Sequence, residues 1–182
     1  MLKTRRYVFF ILGLLAQSAW AESFEYSSLL TQRPIITIQT DPPLVASGDR
    51  AVEARFCNEQ QFHCVRSDWF NFSIPKHRSA NQAEWNYGGF VYRLVDASPI
   101  RALGVCLEAS KIVSLQNDRE VQFFFSDSHG LLGFSIPIEG TSAAYVSERE
   151  FGFGSTKSDK AKAALTKKPG GPPNHKLPSA CT

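Results

Sequence analysis

Three groupings of residues have the types and spacing that chemistry would need. The first is Cys57 to Cys64, which brings two of the four cysteines together with His63. Zinc would need four converging ligands. His63 and Cys64 are neighbours and would face opposite sides of a strand. No second Cys or His pair with metal spacing follows, and the separation is not the C-x-x-C of a redox site. A disulfide staple is the expectation, and no metal is predicted. The second grouping is Ser126-Asp127-Ser128-His129-Gly130. A serine hydrolase needs nucleophile, base and orienting acid in contact, a geometry that adjacent residues in a tight turn seldom make. Gly-x-Ser-x-Gly is absent. The third is Glu148 and Glu150, two carboxylates that fit a solvated strand face better than the paired acids of a glycosidase. Gly152-Phe153-Gly154-Ser155 lacks the lysine and following helix of a phosphate loop. No catalytic residue and no cofactor is therefore assigned. An envelope hydrolase with an unassigned Asp/Glu/His centre stands as the alternative.

Binding chemistry is concentrated elsewhere. Residues 75–89 form a long connection for a compact β domain. They carry Lys76, His77, Arg78, Trp85 and Tyr87, and Trp, Tyr and Arg dominate binding hot spots. These five are the candidate contacts. The competing reading is that Trp85 and Tyr87 begin the next strand and plug the core. Counting alternation along the chain places them on the face opposite Phe90.

The elements that must position these residues are strands. Phe70, Phe72 and Ile74 alternate with Trp69, Asn71 and Ser73. Phe90, Tyr92 and Leu94 alternate with Val91, Arg93 and Val95, and residues 131–138 behave alike. This period of two marks half-buried strands. Further segments are expected at 35–40, 51–57, 62–67, 103–108, 111–116, 120–126 and 144–149. Turn-forming residues near Ser47, Asn117, Ser126 and Ile138 separate the runs. The fold class is all-β, an antiparallel β-sandwich or barrel of about ten short strands stapled by disulfide. One helical turn at most is expected near 98–112, where Ser98 and Pro99 could start it.

The two ends differ from this body. Residues 1–21 show a basic start, an apolar run and Ala19-Trp20-Ala21, the three parts of a secretory signal peptide. Arg5-Arg6 also touches the twin-arginine pattern. Residues 22–154 form a single β domain with 11 basic and 16 acidic side chains. Residues 155–182 are a Lys/Pro/Gly-rich tail with six lysines and one aspartate, read as disordered. An acidic body with a basic tail argues against nucleic acid as the ligand. No integral membrane span is expected once the signal peptide is cleaved.

Export to an oxidising compartment favours disulfides. Cys57 with Cys64, and Cys106 with Cys181, is the favoured pairing of the three possible. The short loop contributes about 2.5 kcal/mol and the long one about 4.5 kcal/mol in the chain-entropy picture. A hairpin joining 51–57 to 62–67 sets Phe56 against Val65 and Arg55 against Arg66, with both sulfurs toward solvent. The expected function is that of a periplasmic or secreted binding protein, of inhibitor or immunity type, for a partner protein or an envelope glycan. A structural component of a surface assembly is the third reading.

Overall fold

The computed structural model describes residues 22–31, 34–57, 61–79, 82–102, 105–138 and 141–156. The expected signal peptide and nearly all of the tail lie outside them. Thirteen strands form among these residues. The first four are β1 (Ser23–Ser28), β2 (Pro34–Thr40), β3 (Pro43–Ser47) and β4 (Arg50–Glu53). Then come β5 (Arg55–Phe56), β6 (Phe62–Arg66) and β7 (Asn71–Pro75). The last six are β8 (Glu84–Tyr87), β9 (Phe90–Ala102), β10 (Val105–Gln116), β11 (Arg119–Ser126), β12 (Gly130–Ile138) and β13 (Thr141–Ser147).

The architecture is two antiparallel meanders stitched into one sheet. β1 to β4 run consecutively, as do β8 to β13, and β1 pairs with β13 through Tyr26 opposite Ser147. The resulting order is β4-β3-β2-β1-β13-β12-β11-β10-β9-β8. The intervening β5, β6 and β7 leave this sheet and form a second one. The two sheets share one core, so the fold is a β-sandwich. Phe24, Tyr26, Ile36, Val45, Tyr92, Ile112, Phe123 and Phe134 of the large sheet meet Val65, Phe72 and Ile74 of the small one.

The expected strand 51–57 is broken at Ala54. Its first half pairs with β3, placing Glu53 opposite Leu44, while its second half pairs with β6. The chain changes sheets there, so the expected hairpin with 62–67 keeps only its second half. The predicted register of the second half is the observed one, with Arg55 opposite Arg66 and Phe56 opposite Val65. Cys57 and Cys64 are disulfide-bonded with their Cα atoms 5.2 Å apart. Cys64 is buried rather than turned to solvent; it lies in β6, the central strand of the small sheet, opposite the equally buried Ser73 of β7.

β7 is buried along its whole length. Its unpaired edge would leave backbone carbonyls without donors. Side chains from the large sheet supply them: Gln116 Nε2 donates to the Asn71 carbonyl at 2.6 Å, and Trp85 Nε1 to the Ser73 carbonyl at 3.1 Å. Residues 151–155 then fold back against β12. Leu131 N–H donates to the Phe153 carbonyl at 2.8 Å and Gly152 N–H to the His129 carbonyl at 2.7 Å. Gly152 must be glycine there, because a Cβ would overlap the Leu131 carbonyl oxygen. Thus Gly152-Phe153-Gly154 is a structural clasp, with Phe153 buried against Phe24 and Phe72.

The helical turn allowed near 98–112 does not form in the described part. β9 and β10 run through it as a long hairpin, with Leu107 opposite Ile100 and Ala109 opposite Ser98. Val105, Ile112 and Val113 suit a pleated strand better than a helix, and cross-strand pairing outweighs the weak capping signal of Ser98-Pro99.

Candidate functional site

The loop expected to bind is largely tied into the scaffold. Trp85 is only 5% exposed. Its ring stacks on Tyr92 with centroids 5.8 Å apart and planes 6° from parallel, while its N–H serves β7. Tyr87 is half-buried, its ring 4.9 Å from that of Phe62. The assignment of Trp85 and Tyr87 to the face opposite Phe90 is corrected by the register. Tyr87 pairs directly with Phe90 and Trp85 with Tyr92. Gly88 and Gly89, at φ +62° and +88°, make a two-residue turn between them. A turn of two residues reverses the chain, so cross-strand partners share a face, which counting straight through the sequence misses.

Arg78 is likewise engaged. Its Nη2 lies 2.7 Å from Asp127 Oδ1 and its Nη1 donates to Ser110 Oγ at 3.3 Å, leaving the side chain 14% exposed. Lys76 and His77 are exposed. His77 borders a shallow hollow with Gln61, Phe62, Pro75 and Gln82. The structure therefore separates the five candidates: Lys76 and His77 face solvent, Tyr87 is partly accessible, and Arg78 and Trp85 hold elements together.

The turn after β11 is more organised than its sequence suggested. Ser126 Oγ lies 3.2 Å from Ser128 Oγ, which lies 2.7 Å from His129 Nδ1. His129 stacks on Phe151, and its Nε2 is 3.9 Å from Glu150 Oε1. Ser155 Oγ donates to the Ser128 carbonyl at 2.8 Å and Thr156 Oγ1 to that of Asp127 at 2.9 Å. This row of hydroxyl, imidazole and carboxylate has the components of an acyl-transfer centre. Its spacing fits a structural turn better, since 3.9 Å is beyond hydrogen-bond reach and the serine and histidine are neighbours on one chain segment.

A third surface lies on the outer face of the large sheet, away from the core. Val91, Arg93 and Val95 of β9, Val113 and Leu115 of β10, and Glu120 of β11 line a shallow depression of about 520 Å³ beside Gly89. Leu115 is 64% exposed, Val95 57% and Val91 45%. At its rim Arg93 Nη2 lies 3.2 Å from Glu84 Oε2, both side chains half or more exposed. Alternation in the sequence had set Val91, Arg93 and Val95 together. The pattern carries no mark of which side of the sheet the core takes, and that side alone decides whether these valines are buried.

Three phenols report how dry the interior is. Burial pushes Tyr26 and Tyr92 far above the ordinary tyrosine range, and raises Tyr145 as well. The positive charge of Arg66 opposes part of the shift at Tyr92. Tyr26 OH donates to the Leu131 carbonyl and accepts from Phe153 N–H, both at 3.2 Å. Tyr26 and Tyr92 are fully buried in the core, and Tyr145 is half-buried at its margin.

Cys106 is disulfide-bonded. The expected partner, Cys181, lies outside the described residues, so the long-range pairing is not seen directly. Among the described residues no helix is long and apolar enough to cross a membrane. No family model, curated protein or solved structure matches the chain.

Proposed function

We propose that the protein is an exported, non-catalytic binding protein that captures a partner protein on the outer face of β9 and β10. The carrying observation is the apolar surface of the exposed Val91, Val95 and Leu115 beside the half-buried Val113. Exposed apolar surface gathered on one rigid face and rimmed by charge is the mark of an interaction site. The depression is shallow, which suits the side chains of another protein better than an enclosed small molecule. Arg93 and Glu84 supply the polar rim, and Lys76 and His77 extend the accessible surface of the neighbouring loop. The Cys57–Cys64 disulfide and the signal-like residues 1–21 support a periplasmic or secreted setting.

The test compares capture from envelope extract by the mature protein and by Val95→Asp with Leu115→Asp. Both positions are solvent-facing, so the variant should melt like the parent. A partner recovered with the parent and lost by at least tenfold with the variant supports the reading. Equal recovery by a folded variant overturns it.

The alternative is a hydrolase centred on Ser128, with His129 as base and Glu150 orienting it, favoured by the 2.7 Å Ser128–His129 contact. A fluorophosphonate probe that labels Ser128 in the parent but not in His129→Ala would favour it. Absence of labelling would remove it.

A further inference from the structure

We propose that Arg55, Arg66 and Asn71 form a binding site for a phosphate or sulfate group on one face of the small sheet. The three stand in a single row across its strands. Arg55 of β5 is directly opposite Arg66 of β6, and Arg66 is directly opposite Asn71 of β7. The next row is Phe56, Val65 and Phe72, which belongs to the core or packs against it. Strand alternation therefore turns the Arg-Arg-Asn row to the other face. Side chains directly opposite on an antiparallel pair leave the sheet about 5 Å apart, so two long guanidinium arms and an amide start within reach of one small ion.

Taken alone, this row is unfavourable. Like charges set directly opposite destabilise a sheet, and arginine keeps its proton at any physiological pH. Both arginines are exposed, and neither makes an ion pair among the described residues. Glu53 and Asp68, the acids nearest to them in sequence, pair with neither. Arg66 nevertheless has a definite place. Its guanidinium lies against Gly88 in the β8–β9 turn, where a Cβ would come within 2.7 Å of Arg66 Cζ.

Asn71 is an independent sign. Its side chain is buried, 6% exposed, and its amide makes no hydrogen bond among the described residues. A buried amide without partners costs free energy. A tetrahedral oxyanion across the row would accept from Asn71 Nδ2 and from both guanidinium forks, whose planar geometry suits its oxygens. Two negative charges would balance the two arginines. Residues 22–154 are acidic overall, with 11 basic against 16 acidic side chains. General attraction therefore does not draw an anion to the body, and affinity has to come from this row.

The experiment titrates inorganic phosphate, and separately sulfate, into the full mature chain at constant ionic strength with chloride as the balancing ion. Nuclear magnetic resonance should show saturable amide shifts centred on Arg55, Arg66, Asn71 and Gly88. Arg55→Gln and Arg66→Gln, both at exposed positions, should melt like the parent and raise the dissociation constant at least tenfold. Arg50→Gln removes the same charge from the exposed edge strand β4 and should leave the constant within twofold. Glycerol 1-phosphate then separates two sources of the group. Binding at least as tight as inorganic phosphate identifies an ester, and weaker binding identifies the free ion. Shifts that do not saturate with either ion, or that lie elsewhere in the chain, overturn the proposal. Equal weakening by Arg50→Gln, an unspecific charge effect only, overturns it too. Partner capture at the outer face of β9 and β10 enters none of these measurements.

Discussion

Replacing Trp85 separates a scaffold role from a contact role. Its indole is buried, stacks on Tyr92 and donates to the Ser73 carbonyl on the otherwise unpaired edge of β7. Removing a buried large aromatic costs about 3–5 kcal/mol. For a domain of this size each kcal/mol moves the melting midpoint by roughly 3–5 °C. Trp85→Ala should therefore melt about 10–20 °C below the parent. Trp85→Phe keeps an aromatic against Tyr92 but withdraws the donor from Ser73, a loss of about 1–2 kcal/mol, or roughly 3–10 °C. Thermal melts followed by far-ultraviolet circular dichroism measure both. The phenylalanine variant, folded at 20 °C, should capture partner as the parent does. A Trp85→Ala midpoint within about 3 °C of the parent would refute the packing argument. Loss of capture by a folded Trp85→Phe would return the contact role to this loop.

Two further outcomes test the interior. Gly152→Ala places a methyl on the Leu131 carbonyl oxygen, so the clasp of residues 151–155 must shift. Urea denaturation should show a loss of about 2–4 kcal/mol, and a midpoint equal to the parent's would show that the clasp gives way freely. The buried phenols of Tyr26 and Tyr92 titrate higher folded than unfolded. The unfolded chain then gives up these protons first, so their contribution is complete below about pH 10 and is lost as pH rises above it. Urea midpoints measured between pH 8 and 11.5 should be flat at first and then fall, and Tyr92→Phe should lessen the fall. A midpoint unchanged up to pH 11.5 would contradict this.

The strand content and the short disulfide were legible because both are local signals. Period-two alternation around Phe72, Tyr92 and Phe134 reports a half-buried strand without knowledge of its partner. Cys57 and Cys64 lie close enough in sequence for hairpin register to bring them together. What was not legible depends on long-range choices. The sheet change at Ala54 arises because β4 finds β3 while β5 finds β6, and no residue between Arg50 and Phe56 marks the break. Gly152 appeared only as the wrong glycine for a phosphate loop, since the carbonyl of Leu131 that excludes a side chain is brought in by tertiary packing. Trp85 and Arg78 have the composition of a hot spot. That composition equally serves a buried aromatic with one polar handle and a guanidinium bridging Asp127 to Ser110.

The outer face of β10 poses the question that the core leaves open. On the inner face, Ile112, Ser114 and Gln116 are buried, and Gln116 reaches the Asn71 carbonyl. Ile112 and Gln116 are thereby accounted for by the packing between sheets. On the outer face, Val113 and Leu115 lie next to Val91 and Val95, and nothing among the described residues packs over Leu115 enough to shelter it. Polar side chains at these positions would leave every inner contact unchanged and would suit a solvated sheet face, as Glu84, Gln122 and Ser135 do on the same sheet. Threonine or lysine would keep the strand at little cost. The fold therefore supplies no reason for four aliphatic side chains to gather there. Exposed apolar surface on an antiparallel sheet also invites edge and face association, a liability that contact with a partner would turn into specificity. This asymmetry between an inner face dictated by packing and an outer face left open at Val91, Val95 and Leu115 is the physical basis for seeking the ligand at this end of β9 and β10.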